Sequence, residues 1–331
     1  MYIDPDVSSK LSTLITQLND QKASLPAPLN ATLAELTDAA RKIGSALFRR
    51  GKIDDAAFYL TFPALNGDAQ SQYAMATCTG YIFGAFRYAF PETKKWLRLA
   101  AAQNNVFALM WLGDTESLAK ARELSMAAVA AGNAQGMLNM YTLTQDIAWL
   151  TQAAATGNSK AQFKLAQAYR EHPGLMTNAV ERNALIEEMC QKSADSGYPP
   201  ALYDRVYPQT STASTLEKQQ RFAQLVAAGE LEGIQEYGYA LAGMPWKGAK
   251  KARIYGLEKD LPKARALLKF ARDRNVGIES VDQLDADLEE ILHQMSPKQY
   301  DASLSILAEL NSKVLLVAQF NEPKVVLGSG N

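Results

Sequence analysis

Few residues in this chain are of a type that does chemistry alone. It has two histidines, His172 and His293, and two cysteines, Cys78 and Cys190. A general base needs a second group to orient it, yet the histidines lie in unrelated segments, and His172 precedes Pro173-Gly174, which reads as a loop. The pairs Glu187-Glu188 and Glu289-Glu290 are adjacent in sequence. On a helix, neighbours of that kind point apart, so they read as solvated faces rather than as an acid and a base. The cysteines sit among apolar positions and read as buried structural thiols. Two of them do not make a four-ligand zinc site. No stretch fits a phosphate-binding loop, a dinucleotide fingerprint, a zincin helix or a nucleophile elbow. Gly328-Ser329-Gly330 is a tail. The expectation is no catalytic residue, no metal site and no cofactor.

Binding chemistry remains. Tyr73, Trp111, Tyr141, Tyr169, Tyr203, Tyr207, Tyr237 and Tyr239 recur through the middle of the chain. Tyrosine and tryptophan favour interfaces, so Trp111, Tyr141, Tyr169, Tyr203, Tyr207 and Tyr237 are the expected partner contacts. The competing reading is that they fill the core between helices. Residues 247 to 274 hold ten Lys or Arg against three Asp or Glu. Within them Lys250, Lys251 and Arg253 are the expected contacts for an acidic protein surface, against the alternative of a solvated helix face.

The elements that must position these residues are helices. In WLTQAAATGNSKAQFKLAQAY, from Trp149 to Tyr169, small and apolar residues at helical spacing stop at Gly157 and resume at Ala161, Leu165 and Tyr169. That is the end of one helix, a left-handed turn and the start of the next. The figure recurs with turn residues Gly67, Asn104, Gly132, Gly157, Gly197 and Gly229. Four residues after each come Ser71, Ala108, Gly136, Ala161, Ala201 and Gly233, all small. Three before come Ala64, Ala101, Val129, Ala154, Ala194 and Val226. Seven before come Leu60, Leu97, Ser125, Leu150, Cys190 and Phe222. Eight before come Tyr59, Trp96, Leu124, Trp149, Met189 and Arg221, of which only the arginine breaks a bulky apolar pattern. Small residues flanking the turn let two helices approach, and large ones a turn or two away fill the space between repeats. Asn replaces Gly at position 104 because it tolerates the left-handed region better than most residues. The intervals between turns are 37, 28, 25, 40 and 32 residues. The two short ones predict an irregular stretch around 132 to 147.

The pattern resembles Sel-one-like repeats, relatives of the tetratricopeptide repeat, over roughly residues 51 to 243. Its core is carried by Trp96 to Ala108, Leu124 to Tyr141 and Trp149 to Tyr169, and its Leu-Gly step by Trp111-Leu112-Gly113. The sequence departs from the family where the Gly-rich turn between helices is largely missing and where Arg205 and Arg221 occupy usually apolar positions. The resemblance implies an all-α, right-handed α-solenoid of antiparallel helix pairs, whose inner helices would carry the aromatic ladder. The organisation expected is an N-terminal helical cap over 1–50, irregular repeats over 51–277, and a C-terminal cap and tail over 278–331. Asn30 is expected to cap the second helix of the first segment, after a break at Leu25-Pro26-Ala27-Pro28. Helices are expected over 285 to 294 and 297 to 320.

Composition agrees with a folded chain. Of 331 residues 47% are hydrophobic and 21% charged, with a formal net charge of −1, which favours neither nucleic acid nor a membrane surface as partner. The start MYIDPDVSSK lacks the apolar segment of a signal peptide, and no run approaches a membrane span. A cytoplasmic location is expected, or a periplasmic one if a leader is missing from this chain. The expected function is non-enzymatic protein binding. By the family resemblance, this would be as a bacterial adaptor, or as an immunity protein that neutralises a secreted toxin effector. The alternative is an enzyme, hydrolase-like, with a site assembled across repeats.

Overall fold

The computed structural model describes residues 27–49, 52–82, 85–86, 90–207, 213–245, 255–274 and 281–314. Among them are sixteen α-helices. They are α1 (Ala27–Arg49), α2 (Ile53–Leu65), α3 (Ala69–Gly80), α4 (Pro91–Ala102), α5 (Val106–Leu112), α6 (Thr115–Ala130), α7 (Ala134–Thr144) and α8 (Ile147–Ala155). They continue as α9 (Ser159–Glu171), α10 (Ala179–Asp195), α11 (Pro199–Val206), α12 (Thr215–Ala227), α13 (Leu231–Ala242), α14 (Leu261–Arg272), α15 (Val281–His293) and α16 (Pro297–Lys313). The described residues fall into two compact units, one up to Trp149 and one from Leu150. Within the first unit α1 to α7 pack mainly on their neighbours in sequence. Within the second, α9 to α14 do the same, and α14 also packs on α15 and α16. Packing between sequence neighbours is what makes this an α-solenoid type of fold.

The turns follow the spacing read from the sequence. All six turn residues have positive φ, from 62° at Asn104 to 89° at Gly67. Each donates its amide to the carbonyl three residues back. In five of the six the next residue's amide reaches five residues back: Asp68 to Pro63, Asn105 to Ala100, Asn133 to Ala128, Tyr198 to Ser193 and Glu230 to Leu225. This doubled bond satisfies carbonyls that a helix end would leave bare. The residue after the turn then caps the following helix: Asp68, Asn105, Asn133, Asn158 and Glu230 each accept from an amide in its first turn. Tyr198 stands at the same place without a side-chain cap.

The small residue four places on lies where the preceding helix comes closest. A Cβ on Gly136 would meet the Ala128 Cβ at 2.7 Å and the Ser125 carbonyl oxygen at 2.9 Å. The residues seven before each turn are all buried, from Leu60 to Phe222. The short intervals do coincide with short helices: α5 has 7 residues, α8 has 9, and Gln145 between α7 and α8 adopts φ 58°.

Besides the helices, two-residue strands Tyr81–Ile82 and Ala85–Phe86 pair antiparallel after α3, with Ile82 opposite Ala85. Two local expectations are corrected. Asn30 lies inside α1 and is not its cap, because the helix starts earlier, at Ala27, and tolerates Pro28 in its first turn. The last helix, α16, ends at Lys313 and starts at a capping box of Ser296 and Gln299. The expected first helix, before residue 26, and the tail after 314 lie outside the described residues.

Candidate partner-binding surface

The aromatic set shares the helices that follow the turns, but not one face of them. Counted from their turns, Trp111, Tyr141, Tyr169, Tyr203, Tyr207 and Tyr237 stand at 7, 9, 12, 6, 10 and 8 residues. A helix turns by 100° per residue, so these offsets scatter the side chains around the helix. Their burial scatters accordingly. Trp111 and Tyr141 in the first unit are half-buried, as are Tyr203 and Tyr207 in the second.

Tyr237 and Tyr169 are buried, the placement that the competing core reading expects. Tyr237 is 1% exposed. Its ring stacks parallel on Phe222 at 4.7 Å between centroids, and its hydroxyl accepts from Lys263 Nζ at 3.0 Å. Lys263 Nζ also lies 4.8 Å from the ring centroid. Tyr169 is 9% exposed and belongs to the interior of its repeat. Tyr239 is buried too and donates to Asp287 Oδ2 at 2.6 Å. Burial, with that carboxylate beside it, pushes its hydroxyl pKa up. The cations Lys250, Lys251 and Arg253 lie outside the described residues.

The half-buried pair Tyr203, on α11, and Tyr207, just past its end, has the most defined surroundings. The rings of Tyr203 and Tyr207 lie 6.0 Å apart, tilted by 32°. Tyr203 donates its hydroxyl to Glu236 Oε2 at 3.0 Å, and Tyr255 donates to the other oxygen. Glu236 is buried on α13, so a buried carboxylate fixes the tilt of one ring of the pair. Between the two tyrosines, Asp204 accepts both Nη atoms of Arg170, at 2.7 and 2.9 Å. Such a forked pair holds α9 to α11 more firmly than a single bond. Arg170 also points Nη2 at Cys190 Sγ, 3.3 Å away. Burial nonetheless pushes the Cys190 thiol up to about 12, and Cys78 likewise to about 12. Neither is a reactive thiolate at neutral pH.

Arg205 and Arg221, the two departures from the apolar pattern, are buried and ion-paired with Glu187, Glu217 and Asp195. Glu187 and Glu188 are both exposed, as a solvated face requires, Glu188 pairing with Lys192 at 2.6 Å and Glu187 reaching the buried Arg205. Both histidines are exposed, His172 at the end of α9 and His293 at the end of α15. Among the described residues no three His, Cys, Asp or Glu gather as metal ligands would. None of the described helices is long and apolar enough to cross a membrane.

No family model matches the chain, and no curated protein matches it. Among solved structures, the chain is similar to c5321, a protective antigen present in uropathogenic Escherichia coli strains and displaying an SLR fold. The identity is 17%, the likeness covers 89% of this chain and 66% of that one, and the TM-score is 0.44. This chain thus spans just under two thirds of that protein's length. It is also similar to a Sel1 repeat protein from Oxalobacter formigenes, with 20% identity, 90% and 89% of the two chains covered, and a TM-score of 0.37.

Proposed function

We propose that the chain is a protein-binding helical scaffold that holds its partner through half-buried aromatic side chains. Tyr203 and Tyr207 are the anchors in the second unit, and Trp111 and Tyr141 those in the first. The observation that carries this reading is the Tyr203–Tyr207 pair, half-buried, 6.0 Å apart and tied to Glu236. An aromatic ring already fixed by its neighbours loses little entropy on binding and buries much apolar area. The resemblance of the sequence to Sel-one-like repeats makes a bacterial partner, a toxin effector or a secretion component, the first to try. The role would then be that of an adaptor or immunity protein.

The test begins with affinity capture of the partner from the native host, followed by single alanine variants. Tyr207→Ala is expected to weaken binding by about tenfold or more while leaving the melting temperature unchanged. Tyr237→Ala is expected to lower stability by about 3–5 kcal/mol, as loss of a core ring does. If Trp111→Ala, Tyr141→Ala, Tyr203→Ala and Tyr207→Ala all bind as the unaltered protein does, the aromatic surface is not the site.

A further inference from the structure

Helices α10, α11 and α12 meet around two guanidinium groups. Arg205 of α11 is 6% exposed and Arg221 of α12 is 8% exposed. Arg205 Nη1 donates to Glu187 Oε1 of α10 at 2.6 Å, and its Nη2 to Glu217 Oε1 of α12 at 3.1 Å. Arg221 Nη2 donates to Asp195 Oδ1 of α10 at 2.6 Å and lies 3.7 Å from the same Glu217 oxygen. Its Nη1 donates to Gln224 at 3.1 Å. One carboxylate oxygen therefore stands between two buried cations, which can be no further apart than those two distances together.

Besides these, α10 carries Glu181 and Arg182 and α12 carries Lys218, and several charged groups on these helices and their neighbours have partners of their own. Asp204 is held by Arg170 of α9, and Glu188 by Lys192 on the outer side of α10. On α13, which packs on α12, Glu236 accepts from Tyr203 and Tyr255, Tyr237 from Lys263, and Tyr239 donates to Asp287. Glu232 is the remaining ionisable side chain of that helix. Glu187, Glu217 and Asp195 are the carboxylates that Arg205 and Arg221 touch.

The geometry points to an acid-released clasp: ionised Glu187, Glu217 and Asp195 hold α10, α11 and α12 together, and their protonation lets these helices part before the rest of the molecule unfolds. Arginine stays charged at any pH a protein meets. Protonating the carboxylates therefore leaves two like charges buried side by side, whereas an ordinary repeat interior has nothing to repel. A buried charge that loses its partner is strongly destabilising. The sign follows from Asp195. Burial is the largest single influence and pushes its carboxyl up, but the bonds from Arg221 and Gln191 and the charges of Arg221 and Arg205 together hold it below the usual value. A carboxyl lowered by folding contributes stability at pH above its unfolded value, and that stability is lost as pH falls through the folded one. The contribution of Asp195 is accordingly lost below about pH 4.

Hydrogen exchange on the full chain tests the clasp, with protection factors corrected for intrinsic exchange. Between about pH 6 and pH 3.5, amides of α10 to α12 are expected to lose about tenfold more protection than those of α4 to α6. In Arg205→Met/Arg221→Leu, where no buried charge remains, that excess loss should vanish. Should the double variant fail to fold, Glu187→Gln/Asp195→Asn mimics protonation at neutral pH and should lower the protection of α10 to α12 there. Equal acid loss in both regions of the unaltered protein, acid loss persisting in the arginine-free variant, or full protection in Glu187→Gln/Asp195→Asn at neutral pH would each overturn the clasp.

Discussion

The stretch from α2 to α7 and the stretch from α10 to α13 are built on the same turn and filled in different ways. In both, a left-handed residue ends one helix, a doubled hydrogen bond seals it, and a small residue starts the contact with the next. Seven residues before the turn both bury a side chain completely, Leu60 and Leu97 in the first, Phe222 in the second. One residue earlier they part. The first has Tyr59, Trp96 and Leu124, while the second has Met189 and then Arg221, closed over by Asp195 and Glu217. The repeat therefore specifies where helices turn and where one apolar side chain must go. It leaves the rest of the interior free to be hydrocarbon or ion pair, provided every buried charge finds a partner.

The largest effect should come from the slot the two stretches share. Phe222 lies parallel to Tyr237 and edge-on to Tyr255, at 4.7 and 5.2 Å between centroids. Phe222→Ala is expected to cost about 3–5 kcal/mol and Leu97→Ala about 2–5 kcal/mol, read by urea denaturation. Near-equal losses would show that the apolar slot carries both stretches. A loss under about 1 kcal/mol for Phe222→Ala would mean that charges alone hold the second.

A middling effect separates the two glycines of one turn. Replacing Gly by Ala inside a helix ordinarily gains about 1 kcal/mol. At Gly136 a Cβ would press on backbone atoms of α6, Ser125 O and Val129 N, each 2.9 Å away. Gly136→Ala is therefore expected to destabilise by about 1–3 kcal/mol, the usual cost of overpacking. Gly132 has nothing within 4 Å but a φ of 75°, so Gly132→Ala should cost roughly 1–2 kcal/mol through backbone strain alone. Thermal melts in which Gly136→Ala is neutral or stabilising would show that α6 and α7 are not in that close approach.

How much of this was legible in the sequence depends on how local the information is. Turn positions were legible because a left-handed residue, a small residue four on and an apolar residue seven back lie within twelve positions of one another. The caps were just as legible: Asp68, Asn105, Asn133 and Asn158 all follow their turn residue directly, a signal the spacing argument left unused. The aromatic surface was not legible as a ladder. Tyr237 and Tyr203 differ by two residues in offset, about 200° around a helix, and that separates a core ring from a half-buried one. Arg205 and Arg221 stood out as misplaced charges, but their partners Glu187 and Asp195 lie 18 and 26 residues away, with no period connecting them.

The smallest effect tests the contrast at its finest grain, between two neighbouring glutamates. Glu188 and Lys192 form an exposed pair four residues apart on α10, and such pairs contribute about 0.3–0.5 kcal/mol. Glu188→Ala should therefore fall within about 0.5 kcal/mol of the unaltered protein. Glu187 is itself 53% exposed, so its own charge is well screened, but its partner Arg205 is only 7% exposed along the side chain. Removing Glu187 takes one carboxylate from that guanidinium, and another, Glu217, is shared with Arg221. The loss then falls on the buried side of the pair, where water does not replace the missing oxygen. Glu187→Ala should be the more destabilising of the two, and the difference should shrink in an Arg205→Met background, where there is no buried charge left to strand. A double-mutant cycle measured by chemical denaturation gives that coupling directly. A coupling of zero would mean that Arg205 is satisfied without Glu187, and that α10 joins the charged interior of the second stretch through Asp195.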